Sequence, residues 1–185
     1  TIVRIDKYIQ NEGNSRISII NSKVYSGEGL RTNGNEIIDI ENSEIESEKA
    51  GIVIERGEVE ITDSKVKGET GIEIKERGNI KHKGLEINSD KVGIDYAGER
   101  DIEIKGIKIT SKETALKNEG KQIKIMDSEI QGDIKTAFWA DLNLTKNKIC
   151  GKIKNAGNIN IEKSDIVGED VLFESEISVI DTNIN

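Results

Sequence analysis

One feature constrains this chain before any local reading: a repeat near 21 residues, spelled largely in isoleucine. The apolar pairs are Ile17/Ile19, Ile38/Ile40, Val59/Ile61, Ile80/His82, Ile102/Ile104, Ile123/Ile125, Leu142/Leu144, Ile159/Ile161 and Ile177/Val179. Their first members are 21, 21, 21, 22, 21, 19, 17 and 18 residues apart. Self-similarity at such a period signals units that stack, because one unit alone cannot bury its own apolar face.

Within each unit the residues alternate apolar and polar over three to five positions. Val59-Glu60-Ile61-Thr62-Asp63-Ser64-Lys65-Val66-Lys67-Gly68 is an example. A second apolar pair follows behind a glycine, as in Gly71-Ile72-Glu73-Ile74, and then a turn such as Arg77-Gly78. Period-two alternation rich in β-branched residues is the mark of a strand. No window keeps an apolar face at helical spacing. Each unit therefore predicts about three short strands, and stacked units would place like residues roughly 4.8 Å apart. Proline is absent, as a hydrogen-bonded ladder requires.

The outward positions test this alignment. The residue after the small turn position runs Lys23, Glu44, Lys65, Glu86, Lys108, Glu129, Lys148, Asp165, alternating in sign at every step. Opposite charges one rung apart attract and like charges repel. Two columns of small residues mark corners. One is Ser22, Ser43, Ser64, Ser128, Ser164 and Thr182, interrupted by Leu85, Ile107 and Asn147. The other is Ser26, Ser47, Gly68, Ser89, Ser111, Gly132, Gly151 and Gly168.

Composition matters at this point. The 185 residues are 34% hydrophobic and 34% charged, which suits a rod with a narrow core and a large surface. A net charge of −8 disfavours nucleic acid or an anionic membrane as a partner through the long-range field. Cys150, the only cysteine, excludes an internal disulfide and belongs to an outward column with Lys67 and Gln131. No signal peptide or membrane-spanning run is visible. Thr1 at the start reads as a processed or excised chain.

These coils, exemplified by Glu58-Val59 to Gly78 and Asn79-Ile80 to Gly98, resemble right-handed parallel β-helix proteins over about residues 16–185. The resemblance, with the right-handed crossover rule, implies an all-β, single-stranded right-handed β-solenoid of about 8–9 coils. Residues 1–15 read as an irregular N-terminal segment or a partial first coil. Pectate-lyase-like polysaccharide enzymes, adhesin stalks, phage tailspikes and bactofilin filaments share this fold, so fold alone does not choose a function. The enzymes of this group carry cleft-forming loops between coils and a helix capping the first coil. Here coil length barely varies, and residues 1–15 show no helical stripe. The last residues, Ile184-Asn185, look like an unfinished coil, so the chain reads as part of a longer rod or as one whose ends meet a partner.

Four groups stand as candidate sites. Asp39 and Glu60, on the outward first-strand face, are weak candidates for calcium, which the lyase resemblance would imply; their plain reading is an ion-pair ladder with Lys81. Arg56, Arg77 and Arg100 recur at one turn of three consecutive coils. They could grip a carboxylate-bearing or sulfated glycan, or be neutralised by the adjacent Glu55, Glu76 and Glu99. His82 takes an inward place otherwise held by isoleucine, as a hydrogen-bonded core imidazole or a local bulge. Trp139, in Thr136-Ala137-Phe138-Trp139, either stacks on a sugar or fills the core where the cross-section changes.

A lone histidine assembles no catalytic triad, so no catalytic residue and no cofactor is expected. The expectation is a non-enzymatic structural or adhesive module of an extracellular or cell-surface protein. A polysaccharide-binding or polysaccharide-cleaving module is the alternative, and a filament subunit joined end to end is a further one.

Overall fold

The computed structural model describes residues 1–11, 14–35, 37–168, 171–174 and 177–185; for Asn11 and Phe173 the description is confined to the backbone. Every regular element among them is a β-strand. All strand pairs are parallel and join segments about one repeat apart, so the chain is a parallel β-solenoid of about eight turns. Each coil presents three faces. The first-face strands are Arg16–Ile20, Ile37–Glu41, Glu58–Thr62, Asn79–Lys83, Asp101–Lys105, Gln122–Met126, Asp141–Thr145 and Asn158–Glu162, and they number coils one to eight here. Ahead of them, Ile2–Ile5 and Tyr8–Asn11 pair with Lys23–Ser26 and Gly29–Thr32 of coil one.

The second and third faces form one continuous sheet, because in the middle of the rod single strands run through the corner between them. Lys65–Glu76, Glu86–Gly98 and Lys108–Asn118 do so. Lys65 is the register partner of both Glu44 and Glu86, and its ammonium lies 2.9 Å from the Glu86 carboxylate. The charge alternation therefore reports the true register. Inward residues join into one apolar core running along the rod, including Ile38, Val59, Ile72, Ile94, Ile123 and Ile149.

The corner after the first face explains the serine column. Each coil places one residue there in the left-handed region: Asn21, Asn42, Asp63, Gly84, Gly106, Asp127, Lys146 and Lys163. Asn, Asp and Gly enter that region at least cost. The serine that follows turns its hydroxyl two ways. Ser43 Oγ accepts the Ser22 N–H at 3.0 Å and donates to the Glu41 carbonyl at 2.7 Å. The pattern repeats at Ser64 and Ser128, and it satisfies backbone groups at a buried corner. Asn147 is no exception in function. Its Oδ1 accepts the Ser128 N–H at 3.0 Å, and its Nδ2 donates to the Ile125 carbonyl at 2.9 Å.

Leu85 and Ile107 are exceptions in function, and they mark a seam. The first-face sheet is split into a four-stranded part ending at Asn79–Lys83 and a five-stranded part beginning at Asp101–Lys105. Coils four and five remain joined on the other two faces. At the seam Ile107 stands where a hydroxyl would accept the Leu85 N–H and bridge the coils, and Lys83 and Lys105 occupy corresponding outward positions. The irregularity expected near His82 is thus a break between coils. The strand Asn79–Lys83 itself pairs with Glu58–Thr62 in unshifted register.

Candidate functional site

The corner where the third face returns to the first carries the most site-like surface. Its turns are tight. Gly57 has a φ of 84°, and the Gly78 N–H donates to the Lys75 carbonyl at 2.8 Å. Short turns leave the intervening side chains no course but outward, so Arg56, Arg77 and Arg100 project along one edge. They line a cavity of ≈ 680 Å³ together with Glu58, Glu76 and Glu99.

The arginines are paired along the rod. Arg56 Nε donates to Glu76 Oε2 of the next coil at 2.6 Å, and Arg77 Nε stands 3.8 Å from Glu99 Oε2. The hydrogen bond to Glu76 pushes the Arg56 guanidinium pKa above its ordinary value. Arg100 has no ion pair among the described residues; its carbonyl accepts the hydroxyl of the buried Tyr96 and so anchors the turn. Three guanidinium groups against three carboxylates leave the cavity without formal net charge. Such a surface offers alternating donors and acceptors rather than a strong positive field.

Trp139 lies on the same edge, two coils beyond Arg100. It does not fill the core: Trp139 is 60% exposed and Phe138 74%. The Ala140 N–H closes a turn onto the Ala137 carbonyl at 3.1 Å, which puts both aromatics at its tip. Their rings meet edge to face, with centroids 4.6 Å apart. The indole Nε1–H donates to the Glu119 carbonyl at 2.9 Å. Ring orientation is therefore held, and the ring surface stays open to a planar apolar partner. The one-edge arrangement was hidden in the sequence because coils four to seven differ in length.

Asp39 and Glu60 are register partners on the first face. Arg16 bridges them, with Nη2 2.8 Å from Asp39 Oδ1 and 3.6 Å from Glu60 Oε2. The Arg16 guanidinium holds the Asp39 carboxyl below its ordinary range. Lys81 completes the ladder at 2.6 Å from Glu58 and 3.4 Å from Glu60. Protein cations thus occupy the space around both carboxylates. Among the described residues, no three His, Cys, Asp or Glu side chains converge on a point where a metal ion could sit.

His82 faces inward as the register partner of Ile61, and its Nδ1 is buried without a hydrogen-bond partner. Burial pushes its pKa below the ordinary imidazole value. The unfolded chain then binds the extra proton first, so stability is full above about pH 6.5 and falls as pH drops below it. His82 is the only histidine. Urea denaturation is expected to show stability falling as pH drops below about 6.5, and His82→Ile to remove that fall. An unchanged slope in His82→Ile would contradict this assignment.

A family model, DUF3737, described as a protein of unknown function, matches residues 13–185. No curated protein and no solved structure matches the chain.

Proposed function

The chain belongs to the DUF3737 family, and from that premise we propose that it is a non-enzymatic β-solenoid module, structural or adhesive, of a secreted or cell-surface protein. Its action would be rigid display of a repetitive polar surface. One observation carries this reading: many outward charges of the first two faces pair along the rod axis. Lys23–Glu44 at 3.0 Å, Lys65–Glu86 at 2.9 Å and Lys124–Glu103 at 3.3 Å are examples. Such ladders hold neighbouring coils in register, and each pair alone contributes little because it is exposed. Polygalacturonate incubated with the chain, with and without calcium, tests the reading. No unsaturated product should appear; its appearance would replace the scaffold with a lyase.

A second reading, a carbohydrate-binding module, has its own observation. The neutral cavity of Arg56, Arg77 and Arg100 and the open ring of Trp139 share one edge. Guanidinium donors and an exposed indole are groups that contact sugar oxygens and ring faces. A glycan array with the chain and with Trp139→Ala separates the two. Binding that the substitution abolishes supports the module; silence across the array leaves the scaffold.

A further inference from the structure

Outward charges on the first and second strand faces of this rod obey a rule, and one column of the third face breaks it. On the second face, Lys23 to Asp165 alternate in sign from rung to rung. On the first face the like-charged neighbours Asp39 and Glu60 share Arg16. The central column of the third face does neither. Its register partners run Glu73, Asp95, Lys117, Lys135, Lys154, so two acids occupy adjacent rungs and three lysines the next three.

Like charges on adjacent rungs, roughly 4.8 Å apart, repel. Relief inside the chain reaches the middle of the column and stops. Glu73 pairs with Lys75 at 2.8 Å, and Lys117 with Glu119 at 2.8 Å and Asp95 at 3.6 Å. Lys135 and Lys154 are exposed and make no ion pair among the described residues. Burial, reinforced by Glu119 and Glu73, pushes the Asp95 carboxyl above its ordinary range against the pull of Lys117.

We propose that this third face is a homodimer interface, on which a second copy of the chain lies antiparallel. A two-fold axis lying in the interface plane, perpendicular to the rod and passing between the Asp95 and Lys117 rungs, sets Asp95 opposite Lys117 of the second copy and Glu73 opposite its Lys135. The two-fold repeats both pairings, giving four cross-chain contacts from one patch. Lys154 then falls opposite Val53, outside the charge matching. A simple polyanion would satisfy the lysine half and be repelled by Glu73 and Asp95. A reversed copy presents both signs in the order that matches both halves.

Sedimentation equilibrium at low and high salt tests this. The wild-type chain should dimerise at low salt and dissociate as salt rises, since these charges are screened. Glu73→Lys with Asp95→Lys should weaken dimerisation at least about tenfold, and so should Lys117→Glu with Lys135→Glu. Mixed in equal amounts, the two variants should recover a dimer, now heterotypic. Circular dichroism of each variant confirms that the strands persist. A wild-type monomer at high concentration and low salt overturns the proposal. So does a dimer indifferent to both variants, or two monomeric variants that fail to associate when mixed.

Discussion

Truncating Ile123 to alanine is expected to destabilise the rod by about 2–5 kcal/mol, while the same change at Ile177 costs about 1 kcal/mol. The two residues stand in one inward column, Ile102, Ile123, Leu142, Ile159, Ile177, and differ in their neighbours. Ile123 is fully buried, with Ile102 on one rung and Leu142 on the other. Removing its side-chain atoms forfeits their transfer energy and leaves a cavity that close-packed rungs on both sides cannot collapse. Ile177 has Ile159 as its single register partner and is 37% exposed in the 185-residue chain. Urea titrations of the two variants check this, with an unchanged slope showing that the same unfolding is compared. Equal losses would mean that stability is not built from contacts between neighbouring coils.

Gly93→Val is expected to destabilise by about 3 kcal/mol, for a steric reason that the glycine pattern alone does not reveal. A Cβ at Gly93 would press on the Ala115 carbonyl and lie 2.5 Å from Ile109 Cγ2. Gly71 meets the same obstacle one coil earlier, where a Cβ would lie 2.6 Å from the Gly93 carbonyl. These glycines are needed because successive coils approach closely. Gly106 is needed for its conformation. A Cβ there would have nothing within 4 Å, yet φ is +68°. Gly106→Ala should therefore cost about 1 kcal/mol, and Gly106→Asn little, since Asn21 and Asn42 hold the equivalent position at φ 48° and 46°. Thermal or denaturant midpoints of the three variants test the distinction. A harmless Gly93→Val would show that the coils are not packed this tightly.

The seam has a bearing on how the rod transmits force. Coils four and five are held through the second and third faces, where Glu86–Gly98 pairs with Lys108–Asn118, and are not hydrogen-bonded through the first. A rod that displays a surface would bend at this point before any other, because one of its three faces lacks the ladder there. His82 sits on the last rung before it, and its buried imidazole makes that rung sensitive to acid.

Much of this was legible in the sequence, and the particular residues show why. The pairing of Lys65 with Glu44 and Glu86 follows from a 21-residue period, because parallel stacking brings residues one period apart onto adjacent rungs. Leu85 and Ile107 stood out as breaks in the serine column, yet their consequence did not. A missing hydroxyl reads as tolerance until the sheet is seen to part there. The arginine column was visible as Arg56, Arg77 and Arg100, but their partners were not the glutamates beside them on the same turn. Glu76 reaches Arg56 from the next coil.

The sequence by itself determined the coil, its register and its core, since period, alternation and side-chain sign are one-dimensional and survive without coordinates. The tertiary structure decided what depends on distance across rungs and on which side of a corner a side chain falls. It placed Trp139 and Phe138 outside, split the first-face sheet, and lined up Glu73 and Asp95 beside three stacked lysines. The physical reason is that small changes of coil length accumulate along the chain. Between Gly68 and Thr70, and again from Thr110 to Leu116, the register shifts, and only folded coordinates show which residues then share a column.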